Sequence, residues 1–137
     1  MLAFGEYVQC LDIYGHTGEW KTEAPMLHSL KHPYAVNFLD KVYVFGGCDS
    51  NGLSRVTMEY DPMGKGWKVC SSMPGFCLAG AAVALNEKIY LVGGEQRVCF
   101  SYAPAEDAWM VLTRPQNAYE VCSATAWRGK ILLVGIG

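Results

Sequence analysis

Residues 41–47 read KVYVFGG, residues 88–94 read KIYLVGG, and residues 130–137 read KILLVGIG. Each phrase opens on lysine, runs through apolar residues and closes on glycine. Gly46, Gly93 and Gly135 are spaced by 47 and 42 residues, and so are Trp20, Trp67 and Trp109. Each tryptophan therefore stands 26 residues ahead of its glycine. Lys41, Lys88 and Lys130 hold the same register, and Met26, Met73 and Pro115 each follow their tryptophan by six. Tyr14, Tyr60 and Tyr102 precede the tryptophans by six or seven. Offsets locked together in this way define an internal repeat. The five-residue difference in spacing sits in one loop, where CDSNGLS (48–54) follows the first glycine pair and only EQ follows the second.

Each unit reads as four short strands. YAVNFL (34–39) and KVYVF (41–45) are β-forming runs split at Asp40, the pattern of a tight hairpin. GAAVAL (80–85) with KIYLV (88–92) repeats it around Asn86 and Glu87. CSATAW (122–127) with KILLV (130–134) repeats it around Arg128 and Gly129. RVTMEY (55–60) and RVCFSY (97–102) supply third strands, and DPMGKG (61–66) and APAEDA (103–108) supply turns. Fourth strands begin at Trp67 and Trp109, and no segment carries a useful helical period. The inner pairs are apolar at nearly every residue, which predicts strands buried on both faces. Four-stranded sheets stacked face to face around an axis make a β-propeller.

The glycine pairs Gly46–Gly47 and Gly93–Gly94, a tyrosine in the third strand and then a tryptophan resemble the kelch repeat. EYDPMGKGWKVCSSMP (59–74) is similar to the form found in the kelch-like family, where Tyr-Asp-Pro, Trp and Met-Pro recur together. The resemblance implies an all-β chain: a kelch-type β-propeller fragment with two complete four-stranded blades flanked by two partial ones. With strands lettered A to D in chain order, residues 1–27 hold the end of B, then C and D. Residues 28–74 and 75–115 are complete repeats, and residues 116–137 hold A and B. Phe4-Gly5-Glu6 stands where a Gly-Gly is expected in the first unit. Met1 then falls within a second strand, and the chain is expected to be an arc of a longer propeller. Open blade faces would allow self-association, including two copies closing one ring. Where such repeats often carry arginine, this chain has Ser29, Leu30, Phe76 and Cys77.

The resemblance further implies a non-enzymatic interaction module. Kelch-like proteins often join the propeller to a BTB domain that engages a cullin, so substrate recognition for ubiquitin ligation is the expected role. Cullin contact is expected only through a BTB domain that this chain does not carry. A cytoskeletal, actin-associated protein and a truncated competitor isoform are the alternatives.

The bulk properties fit this reading. Of 137 residues 51% are hydrophobic and 18% charged, which excludes a disordered chain. The net charge of −2 without a basic run argues against nucleic acid. No apolar stretch is long enough to span a membrane, and MLAFGEYVQC (1–10) lacks the plan of a signal peptide, so a cytoplasmic location is expected. Cys10, Cys48, Cys70, Cys77, Cys99 and Cys122 form no CxxC pair and read as reduced thiols.

Local chemistry is sparse. The glycine pairs lack the Lys-Ser/Thr of a phosphate loop and read as strand-end turns at positive φ. The fixed register of the tryptophans and tyrosines points to blade-to-blade packing rather than a ligand platform. His28 and His32, with His16 nearby, have a spacing that could hold zinc on a helix, but they lie in a loop without a third ligand, so no metal or cofactor is expected. Cys48 begins a loop and reads as a passive thiol. What remains are connections. The D-to-A and B-to-C loops share one face and would present His28, Ser29, Lys31, His32, Asp49, Ser50 and Asn51, then Phe76, Glu95, Gln96, Gln116, Asn117 and Tyr119. Polar groups mixed with aromatics on a rigid scaffold suit recognition of a protein partner.

Overall fold

The computed structural model describes residues 7–15 and 17–137. The expectations placed on Met1, on Phe4-Gly5-Glu6 and on His16 lie outside these residues. Strands β1 (Gln9–Leu11) and β2 (Trp20–Thr22) form an antiparallel pair. Next come β3 (Tyr34–Phe38), β4 (Lys41–Phe45), the short hairpin of β5 (Cys48–Asp49) and β6 (Gly52–Leu53), then β7 (Thr57–Asp61) and β8 (Gly66–Val69). β3, β4, β7 and β8 make one four-stranded antiparallel sheet in chain order. β9 (Gly80–Leu85), β10 (Lys88–Gly93), β11 (Val98–Ala103) and β12 (Ala108–Val111) make a second. β13 (Val121–Trp127) and β14 (Lys130–Ile136) close the chain as a pair. The described residues contain no helix long and apolar enough to cross a membrane. The architecture is two four-stranded blades flanked by two partial ones.

The larger of two buried clusters lies between the two complete blades, and the smaller gathers Leu30, Val44 and Met58 within the first of them. Tyr43 and Phe45 from β4 pack with Ile89 and Leu91 from β10 and Phe100 and Tyr102 from β11, closed by Met73 and Cys77. Trp109 sits against this cluster, its ring centroid 5.5 Å from Phe45 and 4.9 Å from Tyr102. Its indole N–H donates to the Ser71 carbonyl (3.1 Å) and to the Thr57 hydroxyl (3.2 Å), both on the preceding blade or just after it. Trp67 does the same one repeat earlier, donating to the Ala24 carbonyl at 2.9 Å. The tryptophan register is thus a register of blade-to-blade hydrogen bonds. Carboxylates reinforce it. Asp107 accepts the Tyr102 hydroxyl (2.6 Å) together with the backbone N–H and hydroxyl of Ser71 (2.9 Å each). Glu23 accepts from the Tyr60 hydroxyl and the Lys65 ammonium. These donors hold both carboxyls below the usual carboxylate range.

Four expectations need correction. Tyr14 does not occupy the place of Tyr60 and Tyr102. Those two pair directly with Trp67 and Trp109, whereas Leu11 faces Trp20 and Tyr14 is 95% exposed in the following turn. That turn is two residues longer, and Asp12 marks the true register: its carboxylate accepts the N–H of Tyr14 as that of Asp61 accepts the N–H of Met63. Leu39 does not belong to the strand YAVNFL but sits in the turn, at φ +54° and 82% exposed. The pair β13–β14 is not buried on both faces, since Val121, Leu132, Val134 and Ile136 are exposed on a face that no other described strand covers. Trp20 is likewise exposed, with no described blade before it.

The glycine pairs divide by their second member. Gly46–Gly47 and Gly93–Gly94 all adopt positive φ and turn the chain out of the sheet. A Cβ on Gly94 would meet the Leu78 carbonyl oxygen at 2.5 Å, and one on Gly47 would run into that of Lys31. In the last copy the second place is Ile136. There the chain makes no such turn, and β14 continues straight with Gly135 opposite Cys122.

Candidate functional site

The loop face is built by two kinds of connection that the sheets bring to one end. In the first complete blade, Lys31 in the D-to-A connection exchanges two backbone hydrogen bonds with Cys48 (2.8 and 2.9 Å). One repeat later, the Glu95 N–H donates to the Leu78 carbonyl (3.0 Å) and the Gln96 side chain accepts from the Leu78 N–H (2.8 Å). The Tyr119 N–H adds a bond to the Gly94 carbonyl at 3.3 Å. The glycine pairs make these bonds possible by letting the two backbones approach closely. The face is therefore laced together rather than formed of independent loops.

Within it, His28, Ser29, Lys31, Asp49, Ser50 and Asn51 line one cleft of 520 Å³ with Leu27 and Cys48. The sequence showed only a loop at CDSNGLS. The structure folds it into the β5–β6 hairpin, whose tip is set by the Asp49 carboxylate accepting the Asn51 N–H at 2.7 Å. His32 is exposed at φ +53° but does not line that cleft. In the next connection Phe76 is exposed, with the Arg55 guanidinium 5.9 Å from its ring centroid. Glu95, Gln116 and Asn117 are exposed, whereas Gln96 and Tyr119 are half-buried and tied to the backbone contacts above. Sequence reasoning missed Arg55 and Arg97. Each stands just before a third strand, and Arg97 donates to the Pro115 carbonyl at 3.2 Å. The repeated Arg-Val of RVTMEY and RVCFSY was the available signal.

The chemistry of this face is hydrogen bonding and stacking. Among the described residues no three His, Cys, Asp or Glu side chains are grouped to hold a metal ion. All six cysteines are free. Burial pushes the Cys70, Cys77 and Cys99 thiols up, which keeps them protonated near neutral pH. Burial likewise raises the Tyr34 phenol, which remains a neutral donor beneath the loops.

Comparison with known proteins places this geometry. Residues 35–74, from β3 through the turn after β8, match the Kelch motif. These are kelch repeats. The chain is 27% identical to Kelch-like protein 35 of Mus musculus over 93% of its own length and 22% of that protein's. It is 33% identical to Kelch-like protein 24 of Rattus norvegicus over 65% of the chain and 15% of the relative. It is 30% identical to the human Kelch repeat and BTB domain-containing protein 2 over 85% of the chain and 19% of the relative. The chain thus spans between 15% and 22% of the length of these three relatives. Kelch repeats serve as protein-interaction modules, and the two blades with their laced loops are such a module.

Proposed function

We propose that the face of the D-to-A and B-to-C loops recognises a protein partner, and that this chain is the substrate-recognition part of a BTB-kelch adaptor for a cullin-RING ubiquitin ligase. The units of recognition are the repeats 28–74 and 75–115, with the flanking segments 1–27 and 116–137 extending the surface. The observation that carries the reading is the lacing of the two loop types. It holds the hairpin tip at Asn51 and the Arg55–Phe76 stack on one rigid surface. A rigid scaffold presenting arginine, an aromatic ring and amide groups suits a binding hot spot. The adaptor role draws support from the relative whose name joins kelch repeats to a BTB domain. Any contact with the cullin runs through that BTB domain and not through the residues described above.

The test is quantitative affinity capture from cells with the tagged endogenous polypeptide, wild type against the double variant Asn51→Lys, Phe76→Ala. Partners that disappear from the variant and accumulate when cullin activation is blocked support the adaptor reading. Partners retained in full by the variant overturn the loop face as the binding surface. Co-pelleting of the chain with actin filaments, unaffected by blocking the cullin, would favour the cytoskeletal alternative.

A further inference from the structure

The β5–β6 hairpin holds one dipeptide that partner recognition does not account for. The chain has asparagine at Asn37, Asn51, Asn86 and Asn117, and Asn51 alone is followed by glycine. Phe38, Glu87 and Ala118 follow the others. Gly52 has a conformational reason, since its φ of +117° would strain any side chain. Asn51 has no reason of that kind. It is not among the residues at positive φ, and its side-chain amide makes no hydrogen bond among the described residues. The Asp49 carboxylate holds only its backbone N–H.

The surroundings make this dipeptide reactive. Asn51 and Gly52 are both exposed, and a Cβ on Gly52 would meet nothing within 4 Å. The hairpin has only two residue pairs, Cys48 with Leu53 and Asp49 with Gly52. So short a ladder opens readily. An open tip frees the Gly52 nitrogen to reach Cγ of the Asn51 side chain. Glycine adds no Cβ to crowd the five-membered ring that this contact closes. Asn37 lies within β3, and Phe38, Glu87 and Ala118 each set a side chain beside the nitrogen that would have to attack.

We propose that Asn51 is a self-modifying site, at which the folded chain turns a neutral amide into a carboxylate with water as the only co-reactant. The Gly52 nitrogen gives its proton to solvent and bonds to Cγ, while the Cγ–Nδ2 bond breaks and that nitrogen leaves as ammonia. Water then opens the cyclic imide. Cleavage at Cγ gives aspartate, and cleavage at the backbone carbonyl carbon gives isoaspartate, with an extra methylene in the main chain. No electrons are transferred. Either product places a second carboxylate beside Asp49 in the cleft that also holds Lys31. Isoaspartate also breaks the pairing of Asp49 with Gly52. The bonds between Lys31 and Cys48 lie at the base of the hairpin, so the blades keep their fold. For recognition, which rests on the loop face being the binding surface, the chain then has a young form and an aged form of different charge.

The test incubates the full folded chain for days in ¹⁸O-labelled water, near neutral pH and at body temperature, and maps its peptides by mass spectrometry. Residue 51 is expected to exchange its amide for a labelled carboxyl about tenfold or more faster than Asn37, Asn86 or Asn117. Asn51→Gln keeps an amide at the tip but would have to close a larger ring, and should stay unchanged over the same interval. The proposal is overturned if Asn51 keeps its amide, if Asn86 or Asn117 converts as fast, or if conversion appears only in chain unfolded by urea. Affinity capture with aged samples separates the chemistry from its effect. Partners lost by the aged wild type and kept by equally aged Asn51→Gln support the effect on recognition. Undiminished capture by fully converted chain overturns that effect, and with it the hairpin tip as a binding surface, while the mass map still decides the chemistry at Asn51.

Discussion

Removing the hydroxyl of Tyr34 tests the joint between the complete blades with the loss of one oxygen atom. That hydroxyl leaves β3 of the first blade and donates to the Cys77 carbonyl at 3.0 Å, while it accepts from the Gly80 N–H at 2.9 Å. Both partners belong to the start of the next blade. In Tyr34→Phe the ring keeps its packing on Phe45, with centroids 5.8 Å apart, and only the hydroxyl's two short bonds and its 3.5 Å contact with the Cys77 sulfur vanish. Each is a neutral bond of about 1 kcal/mol net, and the groups left behind are half-buried or buried, so the expected loss is about 2–3 kcal/mol. A loss near 2 kcal/mol is about a 30-fold change in the folded fraction ratio. Urea unfolding followed by tryptophan fluorescence reads this directly, because Trp67 and Trp109 are held by the blade contacts. The midpoint should fall. The slope should also fall if the blades begin to unfold separately, as expected of a chain whose units are coupled mainly through nearest neighbours. A change below about 0.5 kcal/mol with an unaltered slope would refute the hydroxyl as an inter-blade joint, since surface substitutions away from such features fall in that range.

Asp107 contributes stability through its bonds to Tyr102 and Ser71, and its folded pKa lies below the ordinary 3.8. That contribution is complete above about pH 5 and is lost as pH falls through the lowered folded value, so Asp107→Asn should flatten the acid limb of a stability-against-pH curve. Gly94→Ala meets both a positive φ and the Leu78 carbonyl and should cost more than about 2 kcal/mol, whereas Gly129→Ala, with open space around it, should cost only about 1 kcal/mol in thermal melts. Alkylation followed by mass spectrometry should modify the exposed Cys10 first and the buried Cys77 last, and early loss of Cys77 would contradict the burial described.

Most of the fold was legible because the repeat constrains it several times over. Trp67 and Trp109, Tyr60 and Tyr102, and the glycine pairs sit in fixed register because they make the same contacts in each blade. The errors arose where only local pattern was available. Tyr14 matched by rough distance to Trp20, but the turn between β1 and β2 had gained two residues, and only Asp12 beside Leu11 betrayed the register. Leu39 reads as the end of an apolar strand, because hydrophobicity alone does not distinguish a strand residue from a leucine at a turn tip. The loop face was legible as topology, while the β5–β6 hairpin and the Arg55–Phe76 contact depend on tertiary placement. Exposure of β13–β14 reflects the neighbours a strand has, which its own sequence does not encode.

The anchoring of the B-to-C loops has a consequence for how such a surface can change. The Cys48 N–H on the Lys31 carbonyl, and the Glu95 N–H on the Leu78 carbonyl, clamp the base of each loop by the equivalent backbone bond, although one loop is five residues longer than the other. Length beyond the clamp adds little closure entropy, since that cost grows only with the logarithm of loop size. The blade and the segment it displays are therefore separable parts, a socket and an interchangeable cassette. Exchanging residues 49–53 for unrelated sequences should remodel what the surface binds while leaving the melting behaviour of the blades nearly untouched.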